Sequence, residues 1–198
     1  WARLVTPMAG AGRGFEFIPE VNDEVLVAFE YDDINKPYIL GALWNGKDKP
    51  PEPSDAIVSG DGKVQKRIIH SRSGHTITLD DTDGSEKISI IDKTGRNSLE
   101  IDSKKNTMSL ETSDGHKIVM EPKGIIMESA GTLTLKSTGN MEIQTQANMT
   151  TKSTGNTEIQ STANMNVKST GMMKVQGTST SIDGGPMTEI KGAVVKIN

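Results

Sequence analysis

The sequence contains no cysteine, few aromatic residues and no apolar run of membrane-spanning length. Without cysteine there is no disulfide framework, no thiolate nucleophile and no thiolate metal site within the chain. The aromatic share is 4%, and every ring lies at or before Trp44: Trp1, Phe15, Phe17, Phe29, Tyr31, Tyr38 and Trp44. Beyond Trp44 no aromatic ring is present to stack on a sugar, and no aromatic-rich segment to supply the apolar cleft that raises a glycosidase acid's pKa. No secretory signal pattern is visible, and the opening at Trp1 without methionine reads as an excised or processed fragment. The net charge of -4 argues against a nucleic-acid partner, which wants a basic face.

The usual catalytic and ligand patterns are missing too. His70, His75 and His116 are the only imidazoles, and no HExxH pairing exists. The acidic stretch Asp80 to Glu86 lacks the spacing of a calcium loop and reads as an acidic turn. Gly10 to Gly14 lacks phosphate-loop spacing and reads as a glycine turn. There is no GxSxG elbow. The expectation is therefore a non-enzyme with no catalytic residues, no cofactor and no metal site.

What is present is a repeat. From Gly131 to Thr178 the chain reads GTLTLKST, GNMEIQTQ, ANMTTKST, GNTEIQST, ANMNVKST, GMMKVQGT, a period of eight. Alternate residues of a strand share a face, so positions one, three, five and seven belong together. Position one is Gly or Ala and position seven is Ser, Thr or Gly. Between them lie the expected core residues: Leu133, Leu135, Met141, Ile143, Met149, Ile159, Met165, Val167, Met173 and Val175. The opposite face is polar, with Lys136, Lys152 and Lys168 in alternate octads and Glu142 and Glu158 between them. Small residues at both ends suit a strand that turns a corner and starts again. One octad buries only a few kcal/mol against roughly one kcal/mol or more of entropy per ordered residue, so strands must stack to hold. The stretch reads as a β-helix. Three octads would also make one rung of a single-chain helix, so the period alone does not count chains.

Upstream of the octads, apolar pairs recur at variable spacing: Ile77 and Leu79, Ile88 and Ile90, Leu99 and Ile101, Met108 and Leu110, Ile118 and Met120, Ile125 and Met127. Similar strands separated by turns are expected, with Asp83-Gly84 and Asp114-Gly115 at turns. Residues 1–55 differ in kind. They hold all the aromatics, five basic and ten acidic side chains, while nine of ten methionines lie beyond residue 100. Val25 to Tyr31 alternates as a half-buried strand, Tyr38 to Trp44 is a second apolar run, and Asn45-Gly46 signals a tight turn. Lys49-Pro50-Pro51-Glu52-Pro53 reads as a linker, and Arg67 to His70 in the connector beyond it reads as a short strand. The expected divisions are 1–53, a connector at 54–75, an irregular β-helix at 76–130, the octads at 131–178 and a C-terminal tip at 179–198.

The first of these segments carries a family resemblance. Trp1 to Val5, Met8 to Gly14, Phe17 to Glu20, Asp23 to Phe29, Pro37 to Gly46 and Pro50-Pro51 together resemble the oligomerisation/OB-fold segment of VgrG-type spike proteins. Such proteins form the puncturing spike of type VI secretion systems and related contractile injection machines and phage tails. The family's barrel begins upstream of Trp1, so residues 1–53 would be a partial OB-fold at the spike neck. The resemblance implies an all-β homotrimer in which the partial OB-fold leads into an elongated, intertwined triple-stranded β-helix. A threefold axis could then gather one histidine from each chain. It also implies tail-tube or hub proteins on the N-terminal side, transient contact with a target membrane, and secretion or delivery with an injection apparatus or virion. The tip, Val194, Val195, Lys196, Ile197 and Asn198, would bind a PAAR-repeat protein and its effectors. The rival reading is a glycan-binding or glycan-cleaving β-helix of tail-fibre type, which the missing aromatics disfavour.

Overall fold

The computed structural model describes residues 1–196 and is almost entirely β. It divides into two units, residues 1–138 and 139–198.

The first unit opens with β1 (Arg3–Leu4), a hairpin of β2 (Ala9–Gly10) and β3 (Arg13–Gly14), β4 (Val25–Phe29) and β5 (Pro37–Ala42). These give a three-stranded sheet ordered β1-β5-β4, with β1 parallel and β4 antiparallel to β5. The expected alternation of β4 is broken, because a bulge between Leu26 and Val27 shifts the register against β5. Tyr31 does not continue the strand. It sits in the following turn with φ 50, next to Asp32 with φ 59. The base of that turn is locked. The Arg3 guanidinium stacks 4.5 Å from the Tyr38 ring centre and bonds its hydroxyl, which donates to Glu30 Oε2 at 2.8 Å. That hydrogen bond to a carboxylate, helped by desolvation, raises the Tyr38 pKa. Asn45-Gly46 forms the expected turn: Asn45 Oδ1 accepts the N–H groups of Lys47 and Asp48.

After a single helical turn, α1 (Ser54–Ile57), the chain builds a seven-stranded antiparallel meander. Its strands are β6 (Lys66–His70), β7 (Thr76–Asp80), β8 (Lys87–Ile91), β9 (Ser98–Asp102), β10 (Thr107–Glu111), β11 (Lys117–Glu121) and β12 (Gly124–Glu128). The six apolar pairs noted in the sequence each fall on one strand. The sheet starts earlier than those pairs suggest, because β6, inside the expected connector, is its first edge strand. The turns are self-contained. Asp92 Oδ1 accepts the Thr94 hydroxyl at 2.7 Å and Asn97 N–H at 3.2 Å, which holds its carboxyl well below the usual range. Gly84 and Gly115 take φ 70 and 84, a backbone that the Asp-Gly turns require.

The polar face is ordered by charge. Lys66, Asp80, Lys87 and Asp102 lie in one cross-strand row, alternating in sign. Asp102 is the one fully buried residue among those described, at 2% exposure. It accepts the Lys105 backbone N–H at 2.8 Å, and the Lys105 and Lys87 ammonium groups stand at 3.0 and 3.8 Å.

The second unit has no strand ladder among its described residues. Extended runs are separated by bends at 146–147, 154–155, 162–163, 170–171 and 178–179, in step with the octad. The small residues have a visible job at these corners. Thr145, Ser153, Ser161 and Ser169 hydroxyls accept the N–H groups of Ala147, Gly155, Ala163 and Gly171 at 3.2–3.3 Å. These four seventh residues thus cap the bends that begin the octads after them.

Asp102 yields a pH prediction. The Lys105 backbone N–H, followed by the Lys105 side chain, lowers its pKa. The stabilisation is therefore whole above about pH 4 and fades as pH falls through the lowered folded value. Asp102→Asn should make stability depend less steeply on pH in thermal unfolding between about pH 5 and about pH 2. An unchanged acid limb would contradict the assignment.

Candidate functional site, an uncovered apolar face

The register of the meander gathers its apolar pairs onto one face in two rows. One row runs Ile69, Ile77, Ile90, Leu99, Leu110, Ile118 and Met127. The other runs Leu79, Ile88, Ile101, Met108, Met120 and Ile125, with Arg67 at its β6 end. Arg67 is turned to account at that edge by an ion pair with Asp81. The opposite face carries Thr76, Thr78, Ser89, Glu100, Ser109 and the charged row already described.

Burial on this sheet is inverted. Ile77, Leu79, Ile88 and Ile90 are 40–46% exposed, whereas Thr76, Thr78, Asp80 and Ser89 between them are half-buried. No apolar side chain is fully buried anywhere among the described residues. The chain exposes 18105 Å², about twice the ~9,000 Å² expected of a compact 21 kDa monomer. Covering the half-exposed face would recover roughly 1 kcal/mol per side chain. Over these two rows that is on the order of ten kcal/mol, comparable with the whole stability of a domain.

The octad residues expected in the core are exposed in the same way, from Met165 and Met173 at 49% to Ile159 at 78%. Of the expected tip, Val194 and Val195 are exposed, at 76% and 49%, and Lys196 is exposed as well. Ile197 and Asn198 lie outside the described residues. An open cavity of about 400 Å³ sits where β12 leaves the sheet, lined by Leu110, Ile118, Met127 and Leu133 among others. Leu133 thus continues the apolar face past the last ladder.

The histidines serve turns. His75 Nδ1 accepts the Lys93 N–H at 3.2 Å, His116 Nδ1 pairs with the Ser129 hydroxyl at 3.0 Å, and His70 Nδ1 pairs with the Thr76 hydroxyl at 3.0 Å. No group of three metal-ligating side chains occurs among the described residues. Asp80, proposed by its sequence context as part of an acidic turn, accepts both the N–H and the hydroxyl of Thr82. Asp102 gave no sequence signal, because its burial depends on lysines from two other positions. The largest feature of this geometry is a surface, the apolar face of the meander.

Residues 1–44 match the family model described as the Type VI secretion system/phage-baseplate injector OB domain. The match falls on the segment that carries the VgrG-type resemblance and supports an OB domain of the baseplate-injector type there. No curated protein matches the chain.

Adjacent residues on β8 test the face assignment. Self-assembly through this face predicts that Ile90→Asp lowers the mass seen in sedimentation velocity, whereas Ser89→Asp, one residue away on the polar face, leaves it unchanged. Equal tolerance of both would contradict the apolar face as an assembly surface.

Proposed function

We propose that this chain is part of a homotrimeric, membrane-puncturing spike of a contractile injection machine. The observation that carries this reading is the uncovered apolar face of the meander, repeated in the octads as exposed apolar pairs with no ladder among the described residues. An apolar stripe of this size needs cover, and octad backbones need hydrogen-bond partners. Two sister copies supply both. In the meander each chain brings a finished sheet and contributes its apolar face. In the octads each chain brings single strands, which pair with those of its sisters to form an intertwined triple-stranded β-helix without free lateral edges.

The function follows from that construction. Interchain backbone hydrogen bonds give stiffness, and the Thr-, Ser- and Asn-rich exterior passes an envelope without adhering. The injector OB segment faces hub and tail-tube proteins. The terminal residues Val194 to Asn198 carry a PAAR-repeat tip protein with its effectors, in transient contact with the target membrane. The chain works as a component of a secreted delivery apparatus or virion and performs no catalysis of its own.

Wrapping of this kind predicts resistance to detergent. The unboiled protein should run as a trimer in SDS, and Ile143→Asp, which places three carboxylates in one inward layer, should reduce it to monomer. A wild-type chain that runs as a monomer without boiling, or an Ile143→Asp trimer that survives SDS, would count against the proposal.

A further inference from the structure

The meander ends on an open edge. β12 is last in the sheet order, so the N–H and C=O groups on its outer side face no strand, and all five of its residues are exposed. A charge pattern stops at the same edge. Glu111, Lys117 and Glu128 stand opposite one another across β10, β11 and β12, alternating in sign, and Lys117 Nζ lies 2.6 Å from Glu128 Oε2. One strand further on, this row calls for a cation.

β12 also carries the phase of the octads. Counted back one period from Gly131, residues 123–130 place Ile125 and Met127 at positions three and five and Ser129 at position seven. Ser129 caps its corner as the later seventh residues do: its Oγ accepts the Gly131 N–H at 3.3 Å, and His116 Nδ1 braces it at 3.0 Å. β12 is therefore both the last meander strand and a strand in octad phase. The octad that follows does not fill the edge within the chain. The backbone bends at 130–131 and forms no ladder with β12, and Leu133 lies in a cavity wall with Leu110, Ile118 and Met127. Lys136 has no ion pair among the described residues.

We infer that the outer edge of β12 receives residues 131–138 of a second copy, running parallel and one octad on in register. This rests on the trimer proposed above and names the strand, register and ion pair at which pairing within the chain passes to pairing between chains. In a threefold wrap each chain turns its corner onto the neighbouring face in the same rotational sense. The strand arriving at β12 is then the next octad of a sister copy and runs in the same direction. Like meets like along it. Leu133 falls beside Ile125, Leu135 beside Met127 and Ser137 beside Ser129, and Lys136 falls beside Glu128 as the cation that the row lacks. A slip of one residue would set Leu135 or Ser137 beside Glu128, and a slip of two would leave it facing Thr134 or Thr138.

The test uses the full chain, which has no cysteine of its own. Opposed residues of neighbouring strands lie about 4.8 Å apart, within disulfide reach. Glu128→Cys combined with Lys136→Cys, oxidised with copper phenanthroline and boiled in SDS without reductant, should run mainly as a covalent trimer, because each copy is then linked to the next. Reduction should return it to monomer. Either single substitution should give no covalent trimer, and neither should Glu128→Cys with Gln144→Cys, one octad further on. Ser129→Cys with Ser137→Cys reads the same register through near-isosteric changes. Native mass spectrometry of the wild type and the reduced variants separates the outcomes. A trimer that yields no covalent trimer from either matched pair, that links within one chain, or that links through Gln144→Cys instead, overturns this register alone. A monomeric wild type overturns the trimer on which it depends.

Discussion

Cover for an apolar sheet face is the constraint on which this molecule turns. The meander satisfies its backbone within the chain through seven consecutive antiparallel strands, yet it leaves two rows of Ile, Leu and Met half in water. The octads leave both backbone and side chains unsatisfied. Entropy opposes ordering such segments by about one kcal/mol or more per residue, and among the described residues no strand ladder offsets that cost beyond residue 128. The fold therefore leaves an apolar face open to solvent, with the charged row on the opposite side of the sheet.

Small residues perform the complementary task. A strand that must turn every eight residues needs a hydroxyl to cap the bend and a residue without bulk to begin the next run. Ser153 with Gly155 and Ser169 with Gly171 show both. The cap is local to the corner, since hydroxyl and N–H lie two residues apart. In the meander the same need is met by asparagine, aspartate and glycine turns such as Asp92 to Asn97, where a single carboxylate gathers several donors.

Much of this was legible in the sequence because it is local. The period of two placed Ile77 with Leu79 and Ile118 with Met120 on strands, and the period of eight located the bends. The Asp-Gly turns and the injector character of residues 1–44 were likewise readable from short blocks of residues. What could not be read is pairing. Alternation tells which residues share a face but not which strand lies beside which, so the short strand legible at Arg67 to His70 could not be recognised as the meander's first edge. Tyr31 was read as strand because it continues the alternation of Val25, Val27 and Phe29. The bulge at Leu26 and the run Asp32-Asp33, ahead of Asn35 and Pro37, end that strand early. Asp102 illustrates the general limit: its burial arises from Lys87 and Lys105, neighbours that only the sheet register and the following turn bring to it.

The most direct test of the central claim is the mass of the purified chain in solution by light scattering. Mutual cover by three copies of a 21.3 kDa chain predicts about 64 kDa, held on dilution because obligate interfaces of this apolar kind do not release readily. A stable, monodisperse monomer would contradict it, since the apolar face and the octads would then be persisting without any partner.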